Sequence, residues 1–546
     1  MSPSAGRSRL RAAAAVAVTA LSVLLVWSAL AAPDELRQLR PSRFLRLPVE
    51  AVVLVAVVAL LPVAAGRLVA VVLGVVLGVV AVVSIADMGF VAALGRPFDL
   101  LGDWGYLDSA SGLLRQSVGA GPARVFELAA VIAVVALLVL VPLALLRCAG
   151  VVVRHRRTSA RTAATLGMVW MVCAVTGLQV IPGTPVASRA AAASAYDHVA
   201  RVASELEDRR TFVHAAQSDP FAHVPDADLL TALRGKDVIV AFVESYGRVA
   251  LDGSPAAAAV ESTLDAGTAE LAAAGFRSRS AYLTSPTFGG LSWLAHSTLQ
   301  SGLWVDDQHR YDALLGTSRL TLAEAFRRAG WRTVADVPAN EKPWPEGASF
   351  YRYERIYGGA DVGYAGPSFS YAPMPDQYVL SAFQRLELAP AHRPPVMAEI
   401  DLISSHTPWA PLPRLVAWAD VGDGSVFDPM PAQGQSPAVV WRNARSVRAA
   451  YQQSVQYSLA ALISFVQQVD DDNLVLVVLG DHQPATIVSG AGATHDVPVS
   501  IVAHDPAVLD RIASWGWHDG LRPAADAPVW RMDAFRDRFL TAFGPG

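Results

Sequence analysis

Four short segments gather acids, imidazoles and a hydroxyl at points where an apolar run stops. Glu244-Ser245-Tyr246-Gly247 follows the run 238–243, Gly480-Asp481-His482-Gln483 follows 474–479, and Ser404-Ser405-His406-Thr407 follows 396–403. The fourth segment, Ser285 to Leu303, is a turn holding Gly289 and Gly290 that enters an apolar helical stretch at Ser292. A carboxylate beside an imidazole at a strand end, as in Asp481-His482, makes a poor turn but good metal ligands. A serine at a helix start lies near backbone N–H groups and the positive end of the helix dipole, which favour a phosphate or an alkoxide. Taken singly, each residue also has a plain structural explanation: Glu244 as a cap or surface partner, Ser292 as an N-cap, His406 as a loop histidine. Their convergence beyond one sheet edge is what points to chemistry.

Stepwise alternation of short apolar runs with longer amphipathic ones supplies that edge. The runs 238–243, 277–283, 331–337, 396–403, 474–479 and 497–502 are predicted as buried strands, with helices over 255–273, 319–329, 377–389 and 440–469. Strands separated by helices predict an α/β domain, a central sheet with helices on both faces. Ligands of such sheets bind beyond the carboxyl ends of the strands.

The chain has 546 residues, of which 53% are hydrophobic and only 17% charged. That charged fraction is well below the roughly 25% of soluble domains, so part of the chain is expected in lipid. Five stretches, 12–32, 48–66, 68–86, 125–146 and 162–182, approach the roughly 20 apolar residues that a spanning helix requires. Residues 1–182 hold 16 Arg against 8 acidic residues, and the remaining 364 residues carry a net charge of -12. Arg7, Arg9 and Arg11, Arg67, and the cluster from Arg147 to Arg161 mark the cytoplasmic side by the positive-inside rule. Five crossings leave everything after Ile181 outside, although Arg37, Arg40, Arg43 and Arg46 in the first loop run against this bias. The expected organisation is a transmembrane region 1–182, a partly helical extracytoplasmic linker 183–231 and a catalytic domain 232–546. An acidic exported part argues against a nucleic-acid partner. Cys148 and Cys173 lie in the first region, so the domain has no disulfide and no thiol nucleophile.

Two motifs carry a family resemblance. Ser292 followed nine residues later by Ser301-Gly302-Leu303 resembles the sulfatase signature, in which a Cys or Ser nucleophile precedes Thr-Gly-Leu at that spacing. The Asp481-His482 pair resembles the metal-binding end of the alkaline phosphatase superfamily. With N-terminal spans ahead of an exported domain, the layout is most similar to lipoteichoic acid synthases and related membrane phosphoglycerol transferases. The resemblance implies five transmembrane helices followed by a sulfatase-like α/β domain with a mixed sheet. It implies one divalent metal, manganese first and zinc, magnesium or calcium as alternatives, on Glu244, Ser292, Asp481 and His482. Ser292 stands where that family has its nucleophile, His406 matches a position contacting the transferred phosphate, and His495 resembles a histidine that phosphoethanolamine transferases place near it.

Leu294 and His296 occupy positions where formylglycine maturation wants Pro or Ala and Arg, so sulfate-ester chemistry through formylglycine is not expected. An unmodified serine suits phosphoryl transfer instead. His296 either lines the first helical turn or joins His406 in binding phosphate oxygens and carrying protons. The implied function is a membrane-anchored transferase moving a phosphoglycerol or phosphoethanolamine-type group from a phospholipid donor to a cell-envelope glycan, lipid or polymer acceptor. An exported phosphate or sulfate ester hydrolase of the same superfamily is the alternative.

Overall fold

The computed structural model describes residues 3–106, 111–112, 114–115, 119–340 and 342–545, in two compact units. The first comprises the chain up to Leu206 apart from two short segments, and the second is built mainly from Glu207 onward.

Three helices of the first unit, Leu10–Leu30, Val63–Leu94 and Gly121–Arg154, are long and apolar enough to cross a membrane among the described residues. Val49–Leu60 is apolar but has 12 residues, a rise of about 18 Å against a hydrocarbon core of about 30 Å. Pro62, which cannot donate a helical hydrogen bond, separates it from Val63–Leu94, so the expected span 48–66 is divided between two helices. The expected span 162–182 falls in Arg156–Thr176, which ends where Gly177 turns left-handed and gives way to the short strand Gln179–Ile181. Gly74 permits close helix packing: a Cβ there would lie 2.6 Å from Pro142 Cα. Asp87 is buried, with its carboxylate 2.9 Å from His198 Nε2 and accepting from Phe98 N at 2.8 Å.

Among the described residues the second unit holds one mixed sheet of nine strands: β1 (Asp237–Val243), β2 (Arg277–Thr284), β3 (Arg332–Asp336), β4 (Arg355–Tyr357), β5 (Val396–Leu402), β6 (Leu474–Gly480), β7 (Asp496–Ala503), β8 (His518–Asp519) and β9 (Val529–Arg531). Their order is β8-β2-β7-β6-β1-β5-β3-β4, with β9 paired to β2. From β6 to β4 all neighbours are parallel, whereas β7 is antiparallel to both β6 and β2. The six strands expected from the apolar runs are present, joined by three short ones that border β2 and β3.

Alternation along β1 explains the layers. Val238, Val240 and Phe242 face one apolar cluster, and Ile239, Ala241 and Val243 face the other. The first face is covered by α1 (Ser292–Ser301) and α2 (Ala534–Phe543), the second by Ala258–Ala273, Asp376–Phe383 and Ala444–Val469. Asn443 caps the last of these by accepting from Ser446 N at 2.9 Å, the role expected of Asn at an N-cap. Because β6, β1 and β5 are parallel neighbours, Asp481, Glu244 and the segment reaching His406 leave the same end of the sheet.

Candidate active site

Gly480 ends β6 where no side chain fits: a Cβ would stand 1.9 Å from the Tyr246 carbonyl oxygen. This close approach brings the next residues of β1 and β6 into contact. Asp481 Oδ1 accepts from Ser245 N at 2.7 Å and His482 N at 2.8 Å, while its Oδ2 is buried with no hydrogen-bond partner among the described residues. His482 Nδ1 lies 2.9 Å from the Gln483 carbonyl, a contact that requires the proton on Nδ1 and leaves the Nε2 lone pair for the site. That Nε2 is 3.3 Å from Ser292 Oγ, 3.3 Å from Glu244 Oε1 and 3.4 Å from Asp481 Oδ2.

Ser292 arrives from the opposite direction. Gly289, Gly290 and Leu291 all take positive φ, of 72°, 155° and 67°, and this turn delivers Ser292 as the first residue of α1. Its hydroxyl does not cap the helix; it donates to Glu244 Oε2 at 3.0 Å. Glu244 Oε1 accepts from Ser245 Oγ at 2.9 Å, so both its oxygens are oriented.

The ligand atoms of Glu244, Asp481 and His482 lie within 4.8 Å of one another. Three features fit a divalent cation: two buried carboxylates, an imidazole lone pair fixed by a backbone carbonyl, and a partnerless Asp481 oxygen. Burial works against charge on His482, yet Asp481 and Glu244 outweigh it and raise its pKa to about 9. The cluster therefore attracts positive charge strongly.

A second cluster lies four residues along the same helix. His296 Nδ1 is 3.0 Å from Glu399 Oε1 and 3.5 Å from Asp401 Oδ1, and its ring stacks on Phe242 with centroids 3.8 Å apart. Glu399 Oε2 accepts from Tyr353 Oη at 2.7 Å and from Gln300 Nε2. Burial opposes protonation of His296, but Asp401 and Glu399 reverse this and raise its pKa to about 9. Burial lifts Asp401 to about 7.

Ser292, His296, Glu399, Asp401 and His406 share a cavity of about 510 Å³ with Glu244 and Asp481. The His406 ring stacks on Tyr371 at 3.5 Å between centroids, its Nδ1 meets the Thr407 carbonyl, and burial lowers its pKa. His495 does not line this cavity; it packs against Phe288 with centroids 5.3 Å apart, and its carbonyl accepts from Ser285 N at 2.9 Å. A larger groove of about 880 Å³ runs along Arg248, Glu261, Asp265 and Arg522. Its charges already pair, Arg522 with Asp265 at 2.8 Å and Arg248 with Asp496 at 3.1 Å, and it holds no activated hydroxyl, so the smaller cavity is the better site.

No family model and no curated protein matches the chain. Several solved structures resemble it. The lipooligosaccharide phosphoethanolamine transferase EptA of Neisseria meningitidis aligns over 96% of this chain and 95% of its own, at 12% identity and a TM-score of 0.47. The lipoteichoic acid synthase LtaP of Listeria monocytogenes aligns over 61% and 78%, at 14% identity and a TM-score of 0.38. The phosphoglycerol transferase GacH of Streptococcus pyogenes, solved with sn-glycerol-1-phosphate, aligns over 62% and 91%, at 11% identity and a TM-score of 0.36.

Glu399 and Asp401 were not singled out by sequence, although two acids two residues apart on a buried strand share one face and are a readable signal.

Proposed function

We propose that the chain is a membrane-anchored, metal-dependent transferase that moves a phosphoglycerol or phosphoethanolamine-type group from a phospholipid to an extracytoplasmic acceptor through Ser292. The observation that carries this reading is the Ser292 hydroxyl, 3.0 Å from Glu244 Oε2 and 3.3 Å from His482 Nε2 inside a cavity.

Glu244, Ser292, Asp481 and His482 would hold the divalent cation, manganese foremost, which when bound neutralises phosphate charge and lowers the pKa of the hydroxyl it touches. Ser292 Oγ forms the new bond to phosphorus while the bond from phosphorus to the diacylglycerol oxygen breaks. The hydroxyl proton passes to Glu244 Oε2, which already accepts it. His296, protonated and held through Nδ1 by Glu399, retains Nε2–H and gives that proton to the departing diacylglycerol oxygen. In the second half the acceptor alcohol returns a proton to His296, its oxygen displaces Ser292 from phosphorus, and Ser292 recovers its proton from Glu244. His406 keeps Nε2 available for a substrate hydroxyl because its Nδ1 is committed to Thr407.

The apolar helices of the first unit suit this chemistry, since tethering the site to the bilayer raises the effective concentration of a lipid donor. A multi-pass anchor with residues 232–546 outside completes the proposal.

The test is manganese-loaded full-length protein added to mixed phospholipid vesicles, with diacylglycerol release measured and the Ser292 peptide weighed. A mass increase equal to the head-group phosphate, lost in Ser292→Ala, is expected. Undiminished turnover by Ser292→Ala would overturn the mechanism. Steady release of the free head-group phosphate whatever acceptor is present would favour the hydrolase.

A further inference from the structure

Acidic residues are unevenly spread through the second unit. Residues 183–546 carry a net charge of -12, yet the stretch 429–469 contains three arginines, Arg442, Arg445 and Arg448, and no Asp or Glu. The beginning of that stretch is a surface patch: Val439 is 41% and Trp441 42% exposed, with Arg442 and Arg445 exposed beside them. Neither guanidinium has an ion-pair or hydrogen-bond partner among the described residues. Both also flank the first turn of the helix Ala444–Val469, which holds no acidic residue, and a cation at that end of a helix is disfavoured. Their charge is left to a partner outside the chain.

The loop 408–415 lies alongside this patch. Trp441 Nε1 donates to the Pro408 carbonyl at 3.2 Å, its ring stacks on Trp409 with centroids 5.8 Å and planes 4° apart, and Arg414 donates to Gln433. With its N–H satisfied, the part of Trp441 left at the surface is apolar, and Leu415 is exposed as well. Trp409 N in turn donates to the His406 carbonyl at 3.1 Å, and His406 lines the catalytic cavity. Trp409 thus links the patch to the wall of the site.

We propose that this face of the second unit docks on anionic phospholipid headgroups, with Val439 and Trp441 entering the interface and Arg442 and Arg445 pairing with phosphates. Tryptophan and arginine settle at a membrane–water boundary because each joins an apolar body to a polar tip, and an anionic leaflet attracts basic clusters. A soluble polyanion would meet the arginines equally well but gives no role to an exposed indole and valine, so the bilayer is the better occupant. Another aromatic surface, at Trp304 and Trp530, fits lipid less well: Arg531 and Arg538 already stack on its rings at 4.1 and 4.0 Å, and Asp533 pairs with Arg531. Docking holds the His406 side of the cavity close to the lipid surface, whatever group Ser292 transfers.

The experiment uses the full-length chain in lipid nanodiscs, with Cys148 and Cys173 replaced by Ser and an environment-sensitive fluorophore attached at Ala438→Cys. A matched protein carries the label at Asp519→Cys, in the groove lined by Asp252, Glu261 and Asp265. In discs of phosphatidylglycerol and phosphatidylcholine with brominated acyl chains, the label at 438 should be quenched and the label at 519 should not. Arg442→Gln combined with Arg445→Gln should lower the ratio of docked to free states by about 25-fold, since each arginine near an anionic surface contributes about fivefold. Phosphatidylcholine discs should give the same loss with both arginines in place, and Trp441→Ala should weaken quenching in anionic discs. The double arginine variant keeps Trp441 and its packing, so its outcome does not depend on how Trp441→Ala folds. A label at 438 that stays in water in anionic discs, equal quenching at 438 and 519, or quenching that survives the double arginine replacement overturns the proposal. So does heparin, added to phosphatidylcholine discs, shielding the label at 438 as fully as anionic lipid does and indifferently to Trp441→Ala, because the patch would then belong to a soluble polyanion.

Discussion

Glu244–Asp481–His482 and His296–Glu399–Asp401 have the same ingredients, two carboxylates and an imidazole each, and Ser292 and His296, one turn apart on the same helix, reach one cluster each. What separates them is the direction of the histidine's proton. His482 turns Nδ1 to a backbone carbonyl and its lone pair inward; His296 turns Nδ1 to Glu399, whose other oxygen is held by Tyr353 and Gln300. The first arrangement leaves lone pairs converging, which calls for a cation. The second is a hydrogen-bonded relay. Composition alone does not distinguish a metal site from a proton carrier; the partners behind the ligands do.

That contrast is open to attack. Ser292→Ala should cost the largest factor, at least about 10³ in diacylglycerol release, because it removes the atom that makes the covalent bond; manganese binding measured in the same protein should weaken but persist. Asp481→Asn should lower manganese affinity by more than about 100-fold, more than the loss of a supporting group costs, as read by calorimetry. Glu399→Gln should reduce turnover by about 10- to 100-fold through the loss of an oriented proton carrier while leaving manganese stoichiometry unchanged. If Glu399→Gln releases metal as Asp481→Asn does, the two clusters are alike and the contrast is broken. Tyr353→Phe should give the smallest effect, about 1 kcal/mol of stability for one buried hydrogen bond, measured by chemical denaturation.

The long strands were readable because each is an apolar run bounded by helical stretches, and β1 and β6 are buried along their whole length. Strands β4, β8 and β9 were not, since two or three residues carry no periodicity. The expected span 48–66 was less legible for a related reason: a hydropathy window covers it smoothly, whereas Pro62 divides it between two helices. At the site, Glu244, Asp481 and His482 could be read from their positions just past strands. Glu399 and Asp401 lie inside one, within Val396–Leu402, where the surrounding apolar residues disguised them as core. Tyr353 and Gln300, which orient Glu399, are 46 and 99 residues away from it, and nothing local announces such partners.

Gly480 contributes no functional group, yet a methyl there would meet the Tyr246 carbonyl. In a saturation scan of this chain, position 480 should thus tolerate replacement as poorly as the nucleophile itself, and for an unrelated cause. Its intolerance would register steric geometry, a reminder that sensitivity to substitution and participation in a reaction are separate properties.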